Sequence, residues 1–352
     1  MLGNIFQQLY TMVDTIVVGQ VAGVQALAAL GAVEWIMWMT LGVSTGVTQG
    51  FSILISQHYG AKKWNDLKKT VAHSYLLTAV TAILLLLISQ LAARWLLVLL
   101  NTPDNIIGMS LIYLRIVFCG IPIVAAYNIF ASVLRALGNS RTPLIAMIIA
   151  AFINVVLDLV FVAGFNWSVA GAALATVIAQ AFSAFYCFLI VRKIEIVHTD
   201  RDDFAKVPGL NRKLFGLGAP ILFQDVIISV GGLAVQFVIN GYGFLFVAGF
   251  TATNKLYGVL EMAAISYGYA VVSYVGQKSG SRRDHENQKR SSCELVSCLS
   301  YICVYQYSDV SFWKDAAFDV YFRRSRADKS GTGNRLALSF YYGILPVYPL
   351  FS

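Results

Sequence analysis

The chain has 352 residues, of which 58% are hydrophobic and only 12% charged, and its mean hydropathy is +0.68. A soluble domain carries about 25% charged residues, so this composition excludes an ordinary water-soluble enzyme or binding module and indicates a chain whose solvent is the bilayer. The net charge of +8 does not point to nucleic acid, because the basic residues sit in short clusters between apolar runs, where membrane topology accounts for them.

Apolar runs of about 20 residues are long enough to cross hydrocarbon. They divide the chain up to about residue 280 into spans at 1–18, 28–55, 74–100, 109–133, 143–165, 169–191, 214–240 and 244–275. The expected fold is an all-α, polytopic bundle of transmembrane helices, with no room for a soluble domain over that length. Because the first span starts inside its apolar run, the chain is expected to lack its natural beginning.

Glu34 falls near one end of the second span, where it is either solvated or turned toward a substrate cavity. Trp35, Trp38 and Trp95 suit an interfacial belt or a cavity wall, and position alone does not choose. Arg94 and Arg115 can snorkel to headgroups from the third and fourth spans. Pro122 and Pro220 are candidate kinks, and Cys119 and Cys187 read as apolar packing residues. His58 and His73 flank a polar loop.

The fifth span, PLIAMIIAAFINVVLDLVFVAGF, carries two strongly polar side chains, Asn154 and Asp158. Four residues apart, they share one helix face. A carboxylate at the bilayer centre costs about 2.5 kcal/mol or more on insertion scales, so it is expected to face a water-filled cavity, an ion or a partner. Asp225 in the seventh span and Glu261 in the eighth are weaker candidates of the same kind, placed to face a substrate cavity and attract a cationic cargo.

Charge orients the spans. Lys62, Lys63, Lys68 and Lys69 follow the second, Arg135 and Arg141 the fourth, and Arg192, Lys193, Lys206, Arg212 and Lys213 the sixth. The alternate loops, GQVAGVQA, NTPDN, NWSVAG and GYG, hold no Lys or Arg. By the positive-inside rule the basic loops and the N-terminus are cytoplasmic.

A repeat divides the chain. SILISQHYGAKKWNDLKK closes the second span with Gln57, Gly60 and a basic loop, and VVSYVGQKSGSRRDHENQKR closes the eighth with Gln277, Gly280 and another. Two parallel halves follow. The expected division is a six-helix unit at 1–191, a cytoplasmic linker at 192–213, the first two helices of a second unit at 214–280, and a polar tail at 281–352. That tail holds Cys293, Cys298 and Cys303 without CxxC spacing or a clustered His, so no metal site is read there. It reads as an out-of-frame or degraded end, with a genuine soluble tail as the alternative.

The segments GNIFQQLYTMVDTIVVGQVAGVQALAALG, LRALGNSRTPL, FINVVLDLVFVAG and WSVAGAALATVIAQ, with the repeated Q-x-x-G span ends, resemble the multidrug and toxic compound extrusion (MATE) family of cation-coupled antiporters. The resemblance covers about residues 1 to 280. It implies a twelve-helix fold in two six-helix lobes, of which this chain holds one lobe and part of a second. Export of drugs or other amphipathic organic cations across the cytoplasmic membrane, in exchange for Na⁺ or H⁺, is the implied activity. A truncated and inactive chain is expected from the missing helices.

The resemblance further implies a cation site made of Asp14, Asn128, Asn154, Asp158 and Thr176, with no catalytic residue, no cofactor and a monomeric state. Two carboxylates, two amides and a hydroxyl are an oxygen-rich set suited to a hard cation such as Na⁺. Desolvated and close together, the same carboxylates suit a proton, and the sequence does not decide between the two ions. A lipid-linked precursor flippase or polysaccharide exporter of the same superfamily is the alternative. An intramembrane enzyme is not indicated, because neither GxSG with His nor HExxH occurs in the spans.

Overall fold

The computed structural model describes residues 2–205, 207–251, 253 and 254, with side chains from residue 12 onward. Among the described residues every regular element is helical. The elements are α1 (Leu2–Val21), α2 (Val24–Gly60), α3 (Trp64–Leu99), α4 (Asp104–Cys119), α5 (Ile121–Ala136), α6 (Arg141–Asp158), α7 (Ser168–Arg192) and α8 (Leu210–Asn240). Residues 244–251 are helical as well.

The expected spans 1–18 to 214–240 each fall on helix, with three corrections. The helix expected to start at residue 74 begins at Trp64, because Leu67, Thr70 and Val71 bury a face that continues the apolar stripe. The single span expected at 109–133 is two helices, α4 and α5, bent by 46°. Pro122 explains the break, since it has no N–H to donate and its ring crowds the carbonyl one turn earlier. The span expected to end at residue 165 is α-helical only to Asp158 and then widens, with the Phe165 N–H donating to the Val160 carbonyl five residues back. α8 continues through Pro220 as one element. Glu261, most of the span at 244–275, the Gln277 and Gly280 repeat end and the tail at 281–352 with its three cysteines lie outside the described residues.

The α5–α6 turn shows how local sequence sets these ends. Gly138 takes φ 85°, which an L side chain resists. Its N–H donates to the Arg135 carbonyl and that of Asn139 to the Leu134 carbonyl, the paired closure of a helix end in the Schellman manner. The Asn139 Oδ1 then accepts from the Thr142 N–H at 3.1 Å and covers an orphan donor at the start of α6.

Two hydrophobic clusters mark the two ends of the bundle. One gathers Ile55, Leu67, Val71, Leu134, Ala136, Val191 and Val197, which border the basic loops. The other gathers Val18, Leu97, Leu100, Ile106, Val162, Val169, Ile239 and Val247, which border the loops without Lys or Arg. Around them the long apolar side chains point outward, Leu91 at 85% exposure and Phe152 at 73%, as a lipid-facing surface requires. Arg94 and Arg115 are exposed on that surface.

α2 and α8 approach closely. A Cβ at Gly50 would come within 2.1 Å of the Gly218 Cα, and one at Gly232 within 2.0 Å of the Trp35 ring. Bilayer helices gain little from hydrophobic association, so small residues that let backbones touch supply the packing. Trp35 therefore belongs to a helix seam, whereas Trp38 and Trp95 are exposed.

Candidate functional site

Three helices bring the polar residues of the apolar layer together. α6 packs against both α1 and α7, and the 3.6-residue period places Asn154 directly one turn before Asp158. Both are fully buried, and Asp14 of α1 is 5% exposed. The Asp14 carboxyl lies within electrostatic reach of Asp158. From α7 the Thr176 hydroxyl accepts from the Asn154 amide at 3.5 Å, a length at which the bond is weak.

Neither oxygen of Asp158 has a hydrogen-bond donor among the described residues, nor has Oδ1 of Asn154. Buried polar atoms are nearly always partnered. A bare carboxylate in an apolar interior is the most expensive exception, and such groups pair, bind a cation or take up a proton. The structure thus joins Asp14, Asn154, Asp158 and Thr176. Helix α6 gives up its regular period at this point, where residues 159–164 form a single wider turn. Turns of that kind occur often at functional sites.

Asn128 is placed differently. It is half-buried on α5, and its amide donates to the Thr45 hydroxyl of α2 at 3.2 Å. Thr45 was not singled out from the sequence, because nothing in the spacing of α2 separates it from the neighbouring hydroxyls that bond their own helix carbonyls. Gln180 was also missed. It is buried one turn beyond Thr176 on α7, and that i+4 spacing was the available signal.

The weaker candidates divide. Asp225 is half-buried on α8 and lies over the glycine face of α2, its Oδ2 3.3 Å from where a Gly46 Cβ would stand. Glu34 is half-buried on α2. Glu261 lies outside the described residues.

Residues 1–160 match the MatE family model. The chain is 32% identical over 287 residues to the probable multidrug resistance protein YpnP of Bacillus subtilis, a match covering 80% of this chain and 63% of that protein. It is 29% identical to the probable multidrug resistance protein YoeA of the same organism, over 80% of this chain and 62% of the relative. The chain thus spans a little over three-fifths of the length of these curated relatives. Among solved structures it resembles a MATE family transporter of the MOP superfamily in its outward-facing conformation, with a TM-score of 0.77, 21% identity, and coverage of 89% of this chain and 69% of that one. It also resembles a MOP superfamily transporter from Pyrococcus furiosus, with a TM-score of 0.78, 21% identity, and coverage of 92% and 71%. Residues 1–160 of this polytopic membrane chain match the MatE family, and the chain shares the fold of MATE transporters.

Proposed function

We propose that this chain forms the ion-coupling part of a secondary transporter, in which Asp14, Asn154, Asp158 and Thr176 hold Na⁺ or H⁺ and drive export of amphipathic organic cations. The carrying observation is Asp158, fully buried, with no donor to either carboxyl oxygen among the described residues. Those oxygens and Oδ1 of Asn154 supply hard ligands, and the second carboxyl of Asp14 adds the charge that a cation would neutralise. The names of the relatives, multidrug resistance proteins, support a drug or drug-like cargo.

Residues 1–191 form one lobe in this reading and residues 214–280 begin a second, joined by the connection at 192–213. The basic loops and the N-terminus face the cytoplasm of the cell membrane. Transport proceeds by alternating access: cation uptake neutralises Asp14 and Asp158, changes the packing of α1, α6 and α7, and favours release of cargo bound between the lobes. Asn128 acts through Thr45 and α2, outside the immediate ligand set. The protein works as a monomer.

The test is transport in inside-out vesicles carrying the chain, with a fluorescent organic cation and an imposed Na⁺ or pH gradient. Asp158→Asn keeps the size of the side chain and removes its charge. Gradient-driven cation movement falls at least tenfold in that variant, while membrane insertion, read by protein level in the vesicles, is unchanged. Gradient-driven movement in the unsubstituted chain that Asp158→Asn leaves undiminished would sink the reading.

A further inference from the structure

Helix α8 is tied to α3 at both of its ends, each time through an asparagine. Near the basic end the His73 ring of α3 is 4% exposed. Its Nε2 lies 3.1 Å from the Ala205 carbonyl oxygen and its Nδ1 lies 2.8 Å from Oδ1 of Asn211, in the first turn of α8. At the opposite end Asn240, the last residue of α8, donates from Nδ2 to the Leu100 carbonyl at 2.8 Å. Gln236 donates from Nε2 to the Asn240 Oδ1 at 2.8 Å and fixes which way that amide points. Asn240 and Gln236 are each 2% exposed.

The Leu100 carbonyl closes α3 and has no helical successor to bond, so the tie uses a group that needs a partner. Ala205 ends the short helical turn Arg201–Phe204 in the connection leading to α8, and the His73 ring holds that turn and α8 together. Between the two ties α8 meets α2 in close contact, Gly218 on Gly50 and Leu222 on Gly46 near one end and Gly232 under Trp35 near the other. Among the described residues the hydrogen bonds that tie α8 to α3 lie at its two ends, beside exposed residues such as Phe204 at one and Asn101 and Tyr242 at the other. Water can replace a hydrogen bond lost at such a level, whereas a polar tie in the middle of the apolar layer would leave its groups bare when it opened.

We propose that the His73–Asn211 and Asn240–Leu100 ties are two alternating latches, one released at a time, with the glycine seam on α2 as the pivot. This rests on the transport reading above, because alternating access is the motion that needs one end of α8 to part from α3 while the other stays fastened. In the structure both latches are fastened.

Amide hydrogen exchange of the full chain in lipid nanodiscs, read by mass spectrometry, tests the assignment. Asn240→Leu should accelerate exchange at least tenfold in peptides covering 98–102 and 238–243, with exchange at 201–205 and 207–213 unchanged or slower. Asn211→Ala should do the reverse. If Asn240→Leu does not fold, Gln236→Leu removes the donor that orients Asn240 and is read at the same peptides. Acceleration at both ends in a single variant would mean the ties merely stabilise the bundle, and no acceleration at the variant's own end would mean they are not fastened. Either result overturns the proposal. Exchange is read without cargo or gradient, so these outcomes do not depend on whether Asp158 couples to a cation.

Discussion

Asp158 sits where α6 stops being a regular α-helix, with a second carboxyl in electrostatic reach and, among the described residues, no donor to either of its own oxygens. In the proposed reading, the stability of the fold depends on what neutralises that group. If a cation binds the folded site and has no affinity for the unfolded chain, it stabilises by about 2.7 kcal/mol at a hundredfold excess over its Kd. Thermal unfolding of the detergent-purified chain should therefore shift upward with Na⁺, or with falling pH if the proton is the ion, and Asp158→Asn should abolish that shift. A variant that keeps the full shift would remove Asp158 from the site. The Asn154 and Asp158 pair was legible because two polar residues at i and i+4 are conspicuous in a run of aliphatics. Their junction with Asp14 and Thr176 was not legible from spacing and came from family resemblance, since it depends on which helices pack together. The turn of Asn128 toward Thr45 escaped for the same reason.

Among the elements, helix existence was set by apolar runs, and six of the expected spans needed only changed ends. The span at 109–133 was misread because Pro122 has two outcomes, a kink within one helix or a break into two, and the sequence does not say which. The 46° bend at Gly120 is the second outcome. The α2–α8 seam was invisible beforehand, for glycines in long helices carry no label of their partner. It gives a sharp contrast. Gly50→Ala places a methyl within 2.1 Å of the Gly218 Cα, backbone that cannot rotate away, and overpacking of this kind costs about 1–3 kcal/mol. Gly216→Ala, two residues before Gly218, meets nothing within 4 Å and gains helix propensity of about 1 kcal/mol. Unfolding midpoints should fall for the first variant and hold or rise for the second. Equal behaviour would show that α2 and α8 are not in backbone contact.

For the whole molecule, alternation of basic loops with loops that hold no Lys or Arg gave a single topology, and the packing is consistent with it. The ends of α2, α5 and α7 that border the Lys- and Arg-bearing loops share one cluster with Val197, and the ends bordering loops without Lys or Arg share another. That gathering is geometric and says which loops lie together; which face meets the cytoplasm follows from the positive-inside bias alone. Lys63, before α3, and Asn105, in the first turn of α4, are exposed at the two ends. Lys63→Cys and Asn105→Cys avoid left-handed backbone positions and leave the apolar layer untouched. With a membrane-impermeant maleimide and peptide-level mass spectrometry, which separates the new cysteine from the native five, intact cells should label position 105 and spare 63. Inside-out vesicles should label 63 and spare 105. The opposite pattern would invert the molecule in the membrane, while labelling of both positions from one side would break the alternation on which the bundle's two ends were assigned.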